Sequence, residues 1–384
     1  MQIIADENIP LVDEAFTNLG KVRTLAGRNL SDADLGEAEI LLVRSVTPVN
    51  EKLLAKSAIR FVGTATIGLD HIDLAYLHHQ DIGFASAPGC NANAAAEYVI
   101  SALLVIAERQ NLALPSKTVG IIGCGNVGSR VFKKLTALNV NCLVYDPPQQ
   151  EQPGLQPADF DYVDFETVLT ADIITLHVPL EKNGRYPTYH LINEEVLSKL
   201  SNQVILINTS RGAVIDEAAL LKQLTIQPEM TVILDVWQNE PNINPLLLQP
   251  VALGTPHIAG YSLDGKIRGT EMLYNAVCHY FQQTPVWQAQ TSLPTPPLTR
   301  LVFSNQIDDS TAIHTAVMAC YDIRRDDANL RCLKPTIQPG IFFDNLRKYY
   351  PLRREFNCVV IELPAEKSHL AKQLIGLGFQ VDLR

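Results

Sequence analysis

The sequence has no long apolar run and no tract rich in lysine or arginine. Its longest apolar helical stretch, residues 98–107, falls well short of the ~20 residues a membrane-spanning helix needs. With 31 bases against 41 acids the formal net charge is −10, which argues against a nucleic-acid-binding protein. The seven cysteines are odd in number and include no C-x-x-C pair, so neither a disulfide framework nor a zinc site is expected. The nine histidines lack ligand spacing; the adjacent His78 and His79 read as a solvated helix end, and no metal is expected. The opening MQIIADENIP has neither the basic nor the apolar segment of a secretion signal. These absences point to a reduced, cytoplasmic protein without membrane or nucleic-acid partners.

What is present is enough apolar material for ordinary cores. The chain has 384 residues, 47% of them hydrophobic, a length that predicts about two to three domains. In the first 110 residues the short runs IIAD, KVRTLA, ILLVRS, FVGTAT and GFASA alternate with helical patterns such as VDEAFTNLG and NEKLLAKS. That alternation is the pattern of a parallel sheet covered by helices. Residues 91–110 are apolar on most sides, which predicts a helix buried between two domains. A second series follows, with TVGIIGCG, CLVYD, ADIITLHVP, QVILINTS and MTVILDVW as strands and a Pro/Gln-rich loop over 147–157. A stretch dense in Pro, Thr and Gln from about 282 to 300 reads as a linker. The last block of about ninety residues carries a helix-like run (310–321), a strand-like run (357–363) and a helix–strand ending (366–383).

Gly123-Cys124-Gly125-Asn126-Val127-Gly128 is a G-x-G-x-x-G turn placed between an apolar strand and an amphipathic helix, the context in which that pattern binds a dinucleotide. The first glycine permits the tight turn, the second lets backbone approach a pyrophosphate, and the third allows close packing of helix on strand. Asp146, at the end of the next strand, is placed to accept hydrogen bonds from the ribose hydroxyls. No Arg or Lys follows it in Pro147-Pro148-Gln149-Gln150, which favours NAD over NADP.

Three further segments lie just beyond buried strands of the second series: Asn208-Thr209-Ser210-Arg211-Gly212, 235–241 and 255–260. They offer a guanidinium (Arg211), a carboxylate (Glu240) and an imidazole (His257) where α/β sheets bind ligands. Singly, each has an ordinary structural reading: a surface ion pair, a turn acid before proline, a core histidine. Together and beside a dinucleotide site, the set resembles that of the D-isomer-specific 2-hydroxyacid dehydrogenase family. Segments 43–47, 63–68, 87–91, 257–261 and 321–327 resemble members of that family that act on a phosphorylated 2-hydroxy acid and carry an extra C-terminal domain.

The resemblance implies an NAD-dependent dehydrogenase. His257 would be the base for the hydroxyl proton. Glu240 would orient and stabilise its ring, and Arg211 would grip the carboxylate and the oxygen becoming a carbonyl. It further implies that Thr175, Thr209, Ser210, Asp235 and Gly260 line the NAD cleft, and that Ser45, Thr66 and Tyr261, with the charge of Arg44, bind substrate. His71 reads as structural, and Arg347, Arg353 and Arg354 are the tail residues that could approach the substrate. The expected fold is α/β, with two doubly wound Rossmann-like domains, one of them discontinuous, and a small α+β C-terminal domain. Residues 1–92 and 257–285 would bind substrate, 93–256 would bind NAD, and 286–384 would form a homodimer. Cleft closure would exclude water from hydride transfer. Two alternatives stay open: another family member, such as 3-phosphoglycerate dehydrogenase, and an NAD-sensing binding protein.

Overall fold

The computed structural model describes residues 1–151, 160–332 and 338–384, the side chains of residues 290 and 291 aside. The chain divides into two compact units, 1–91 with 262–295 and 92–261 with 296–384.

The first unit is built on a parallel five-stranded sheet of β1 (Gln2–Asp6), β2 (Lys21–Leu25), β3 (Ile40–Val43), β4 (Phe61–Thr64) and β5 (Gly83–Ser86), in the order β2-β1-β3-β4-β5. Because successive side chains point to opposite faces, its central strands bury residues on both sides. Ile3, Ile40, Leu42 and Phe61 pack with Phe16, Leu273 and Tyr274, whereas Ile4, Leu41, Val43 and Val62 pack with Leu35, Leu53 and Leu77. The helix Leu263–Tyr280 closes the first of these faces. The segment expected as a linker is partly anchored: Tyr274 accepts hydrogen bonds from the backbone of Val286 and Trp287, and Trp287 Nε1 donates to Glu14 at 2.8 Å.

The second unit carries a parallel six-stranded sheet of β6 (Thr118–Ile122), β7 (Asn141–Tyr145), β8 (Ile173–Leu176), β9 (Ile205–Asn208), β10 (Thr231–Leu234) and β11 (Leu253–Gly254), in the order β11-β10-β9-β8-β6-β7. The neighbours of β6 run away from it on opposite sides, so the sheet switches direction between β6 and β8, and ligands bind at the carboxyl ends beside such a switch. The Pro/Gln-rich loop begins as a single helical turn, Pro147–Gln150, capped by Asp146; its part over 152–157 lies outside the described residues.

A third, smaller sheet is also parallel, β12 (Arg300–Val302), β13 (Val360–Leu363) and β14 (Gln380–Leu383) in that order. The expected buried helix runs Ala92–Gln110 and lies within the second unit. One core joins its Ala96, Val99, Ile100 and Leu103 to Val119 and Ile121 of the six-stranded sheet and to Ala316, Val317, Phe356 and Ile361 of the C-terminal block. The block therefore shares a hydrophobic core with the sheet that carries the glycine turn, at about 1.5–3 kcal/mol for each large apolar side chain buried.

Candidate active site

The glycine turn has the geometry a pyrophosphate requires. Gly123 sits at φ 88° with its α-carbon against the His177 carbonyl, where a Cβ would meet that oxygen at 2.7 Å. A Cβ on Gly128 would lie 2.0 Å from the Gly123 oxygen, so the helix Gly128–Ala137 can start this close to β6 only with glycine there. A Cβ on Gly125 would meet nothing within 4 Å, and its backbone faces open space. Tight packing at the flanking glycines and an open middle one is a cradle that fits a dinucleotide. Asp146 ties the turn together: its carboxylate accepts from Cys124 N at 2.7 Å and Gln149 N at 3.1 Å. The thiol of Cys124 is pushed up to about 12, mainly by burial, which keeps it unreactive.

Next along the sheet is a residue that the sequence reading did not single out. His177, just beyond β8, bridges Thr175 Oγ1 (2.9 Å) and Thr209 Oγ1 (3.2 Å) with its two ring nitrogens. Desolvation pulls its imidazole down to about 3, so it is a neutral bridge. Its sequence signal was a lone histidine at a strand end beside the switch in strand order. Asn208 then shapes the following loop, its amide donating to the Arg211 carbonyl at 3.0 Å and its Oδ1 accepting from Ser210 N and Oγ at 3.0 and 2.7 Å. This loop lies directly on the one after β10, since a Cβ on Gly212 would come within 2.0 Å of the Trp237 carbonyl carbon.

Glu240 and His257 meet at the end of that row. His257 Nδ1 and Glu240 Oε2 are 2.7 Å apart, and Glu240 Oε1 accepts from Trp237 N at 2.9 Å. Burial works to raise the Glu240 carboxyl. The His257 ring, the charge of Arg347 and the Trp237 N–H outweigh it and hold the group below the usual carboxylate value. An anionic Glu240 fixes the proton on Nδ1 and leaves Nε2 for proton exchange. His257 adopts φ 57°, a left-handed conformation that costs a non-glycine residue about 1–2 kcal/mol. Asp235 holds the turn in place, because its backbone oxygen accepts from His257 N at 2.7 Å and its carboxylate accepts from Ile258 N, Ala259 N and Thr255 Oγ1. Only 1% of Asp235 is exposed, and burial raises its carboxyl against those donors.

Residues 105–259 match the model for the D-isomer specific 2-hydroxyacid dehydrogenase, NAD binding domain, and residues 292–378 match a domain of unknown function. The erythronate-4-phosphate dehydrogenase of Hahella chejuensis (strain KCTC 2396) is 45% identical over 383 residues, 99% of each chain. That of Proteus mirabilis (strain HI4320) is 45% identical over 382 residues, again 99% of each. The chain belongs to the erythronate-4-phosphate dehydrogenase family. Like other members of the D-isomer specific 2-hydroxyacid dehydrogenases, it is an NAD-dependent oxidoreductase. Among solved structures, the D-lactate dehydrogenase from Aquifex aeolicus complexed with NAD and lactic acid is 27% identical with a TM-score of 0.62, covering 73% of this chain and 96% of that one. The NAD-bound 3-phosphoglycerate dehydrogenase of Entamoeba histolytica shares the fold at 23% identity and a TM-score of 0.61, over 73% of this chain and 95% of that one.

In this erythronate-4-phosphate dehydrogenase family member, the C-terminal block reaches the His257 loop twice. Arg353 is 5% exposed, donates to the Ala259 and Ala94 carbonyls at 3.0 and 2.6 Å, and stacks 3.6 Å over the Tyr321 ring. Arg347 Nε donates to the Tyr261 hydroxyl at 3.2 Å. Arg354 lies beside the Cys358 thiol at 3.3 Å.

The other expected substrate residues belong to the first unit. Arg44 and the exposed Ser45 follow β3 in a tight turn closed by Thr47 N and the Arg44 carbonyl at 3.1 Å. Thr66 follows β4, its hydroxyl 2.8 Å from that of Thr64, which is in turn 3.0 Å from His71 Nε2. Since β3 and β4 are parallel neighbours, both loops leave the same end of the sheet. Among the described residues no group of acids, histidines and cysteines could hold a metal ion, and no helix is long and apolar enough to cross a membrane.

Proposed function

We propose that the protein oxidises 4-phospho-D-erythronate to (R)-3-hydroxy-2-oxo-4-phosphooxybutanoate with NAD, a step of pyridoxal phosphate synthesis. The observation that carries the chemistry is the 2.7 Å contact between His257 and an anionic Glu240, set in a row of strand-end loops with Arg211 and the glycine turn. The substrate is that of the erythronate-4-phosphate dehydrogenases that match the chain over 99% of its length.

His257 Nε2 takes the proton of the C2 hydroxyl while Glu240 stabilises the imidazolium that forms. Arg211 holds the substrate carboxylate and the C2 oxygen as it becomes a carbonyl. Bound NAD would supply the hydride acceptor for C2. The glycine turn at 123–128 would hold its pyrophosphate, Asp146 its ribose, and Thr175, Thr209, Ser210, Asp235 and Gly260 the rest of the dinucleotide. Ser45, Thr66 and Tyr261, with Arg44, bind the substrate.

The test is reduction of NAD by the purified protein, followed by the rise of NADH fluorescence on addition of each acid. Rapid reduction with 4-phosphoerythronate and slow reduction with 3-phosphoglycerate is expected. The reverse order would assign the other dehydrogenase, and NAD binding without turnover of either acid would favour a sensing protein.

A homodimer formed through the C-terminal block, in the cytoplasm, belongs to the same proposal. Because that block shares its core with the NAD-binding sheet, deleting it would strip the core. The test is therefore sedimentation of the intact chain, and a single-chain mass at micromolar concentration would refute the dimer.

A further inference from the structure

We propose that Arg347 is a phosphate-binding residue of the active site, supplied by the C-terminal block. The proposal rests on the functional reading above and extends it by saying what the additional block contributes to the site.

Arg347 lies near the end of the helix Pro339–Lys348. Its guanidinium is half-buried against two aromatic rings, 5.8 Å from the Tyr261 centroid and 6.0 Å from that of Phe343. Its Nε is committed to the Tyr261 hydroxyl at 3.2 Å. The two terminal nitrogens make no hydrogen bond among the described residues, so the planar fork is held in place by its stem and ring neighbours while its far edge stays open. That edge is the one that matches two oxygens of a phosphate. Its charge is felt at Glu240, which places it in the field of the acid–base pair.

Charge arithmetic supplies the second argument. A phosphorylated 2-hydroxy acid brings a carboxylate and a phosphate to a centre that already holds the Glu240 anion, in a chain of net charge −10. Arg211 answers the carboxylate. Within the second unit, Arg347 is the guanidinium beside Glu240 and Tyr261 with its fork uncommitted. Arg353 gives both terminal nitrogens to the Ala259 and Ala94 carbonyls and its face to the Tyr321 ring, so it cannot offer a fork to phosphate without releasing the His257 loop.

A purely structural arginine, one that only steadies Tyr261, would make a different set of predictions. The experiment compares the wild-type enzyme with Arg347→Gln and Arg347→Lys. It measures KM and kcat for 4-phosphoerythronate, competitive inhibition by inorganic phosphate, and calorimetric binding of inorganic phosphate to the NAD-loaded protein. Thermal melting of each variant establishes that it is folded. With Gln, KM should rise about thirtyfold and phosphate binding should weaken by a similar factor, while kcat changes by less than about threefold, since a hydrogen-bonded charge contact is worth about 2 kcal/mol. Lys, which keeps the charge but loses the fork, should fall between the two.

A drop in kcat with KM and phosphate binding unchanged would overturn the proposal, because it would mean that Arg347 only positions Tyr261. Equal phosphate binding by the wild-type and Gln proteins would overturn it as well. Failure of the wild-type enzyme to oxidise 4-phosphoerythronate would instead sink the functional reading, and the calorimetric comparison would still decide the role of Arg347. Should Arg347→Gln melt early, Arg347→Lys carries the same comparison.

Discussion

The two large sheets begin alike and end differently. In each, the second strand pairs outside the first and the third lies on the first strand's other side, so each has a switch point at the carboxyl end of its first strand. After β6 that position holds the glycine turn, with open space beside Gly125 and a helix of ten residues starting at Gly128. At the end of β1 it holds Asp6, which is 3% exposed, with one carboxylate oxygen accepting from Asn8 and the other without a partner among the described residues. Only a five-residue helix, Val12–Phe16, follows, entered through Leu11 at φ 56°. One switch point presents N–H donors to an anion and the other buries a carboxylate. Shared topology thus leaves the ligand undecided, and the few residues after the first strand decide it.

The strongest way to break this comparison is to remove the chemistry from the second unit. His257→Asn should lower kcat by about a thousandfold with NAD affinity unchanged, the usual scale for a lost acid–base group. Arg211→Lys should cost about a hundredfold in kcat/KM, because an ammonium cannot reproduce the planar fork. Near-native turnover by either variant would move the centre away from these strand ends. Gly125→Val tests the cradle itself, since a branched side chain would fill the space left open. A tenfold or greater loss of NAD affinity by fluorescence titration, with an unchanged melting temperature, is expected, and unaltered binding would refute the cradle.

How much of this was legible in the sequence depends on how local each feature is. The glycine turn, Asp146 and the strand runs are contiguous patterns, and the structure holds them where the spacing put them. The Glu240–His257 contact joins residues seventeen apart and was reachable because both follow recognisable strands. His177 was missed, since only the folded loops bring Thr175 and Thr209 to its two nitrogens. The contact of Arg347 with Tyr261 spans 86 residues and that of Arg353 with Ala94 spans 259; no periodicity records such distances. For the same reason the Pro-rich stretch before 300 marked a change of composition while saying nothing about the core that the C-terminal block shares with the helix Ala92–Gln110.

That shared core makes stability a second axis on which the units differ. Arg353 lies 4.0 Å from Glu97, whose carboxyl is pushed up to about 7, chiefly by burial. Arg353→Met should therefore destabilise the second unit by about 3–5 kcal/mol, because it removes one partner from a buried set of charges and takes a charged donor from the Ala259 and Ala94 carbonyls. Denaturant unfolding should show the loss, and a change below about 1 kcal/mol would mean that the arginine is not holding the His257 turn.

The smallest effect is expected at the first switch point. Asp6→Asn keeps an oxygen for the Asn8 donors and replaces the unpartnered carboxylate oxygen with a neutral amide. Losing a buried, half-satisfied charge offsets the new amide donors, so stability should change by less than about 1 kcal/mol. NAD affinity should stay within twofold of wild type, because Asp6 closes a turn that presents no cradle. A tenfold change in NAD affinity would show that the first switch point takes part in dinucleotide binding after all, and the contrast between the two sheets would fail at its origin.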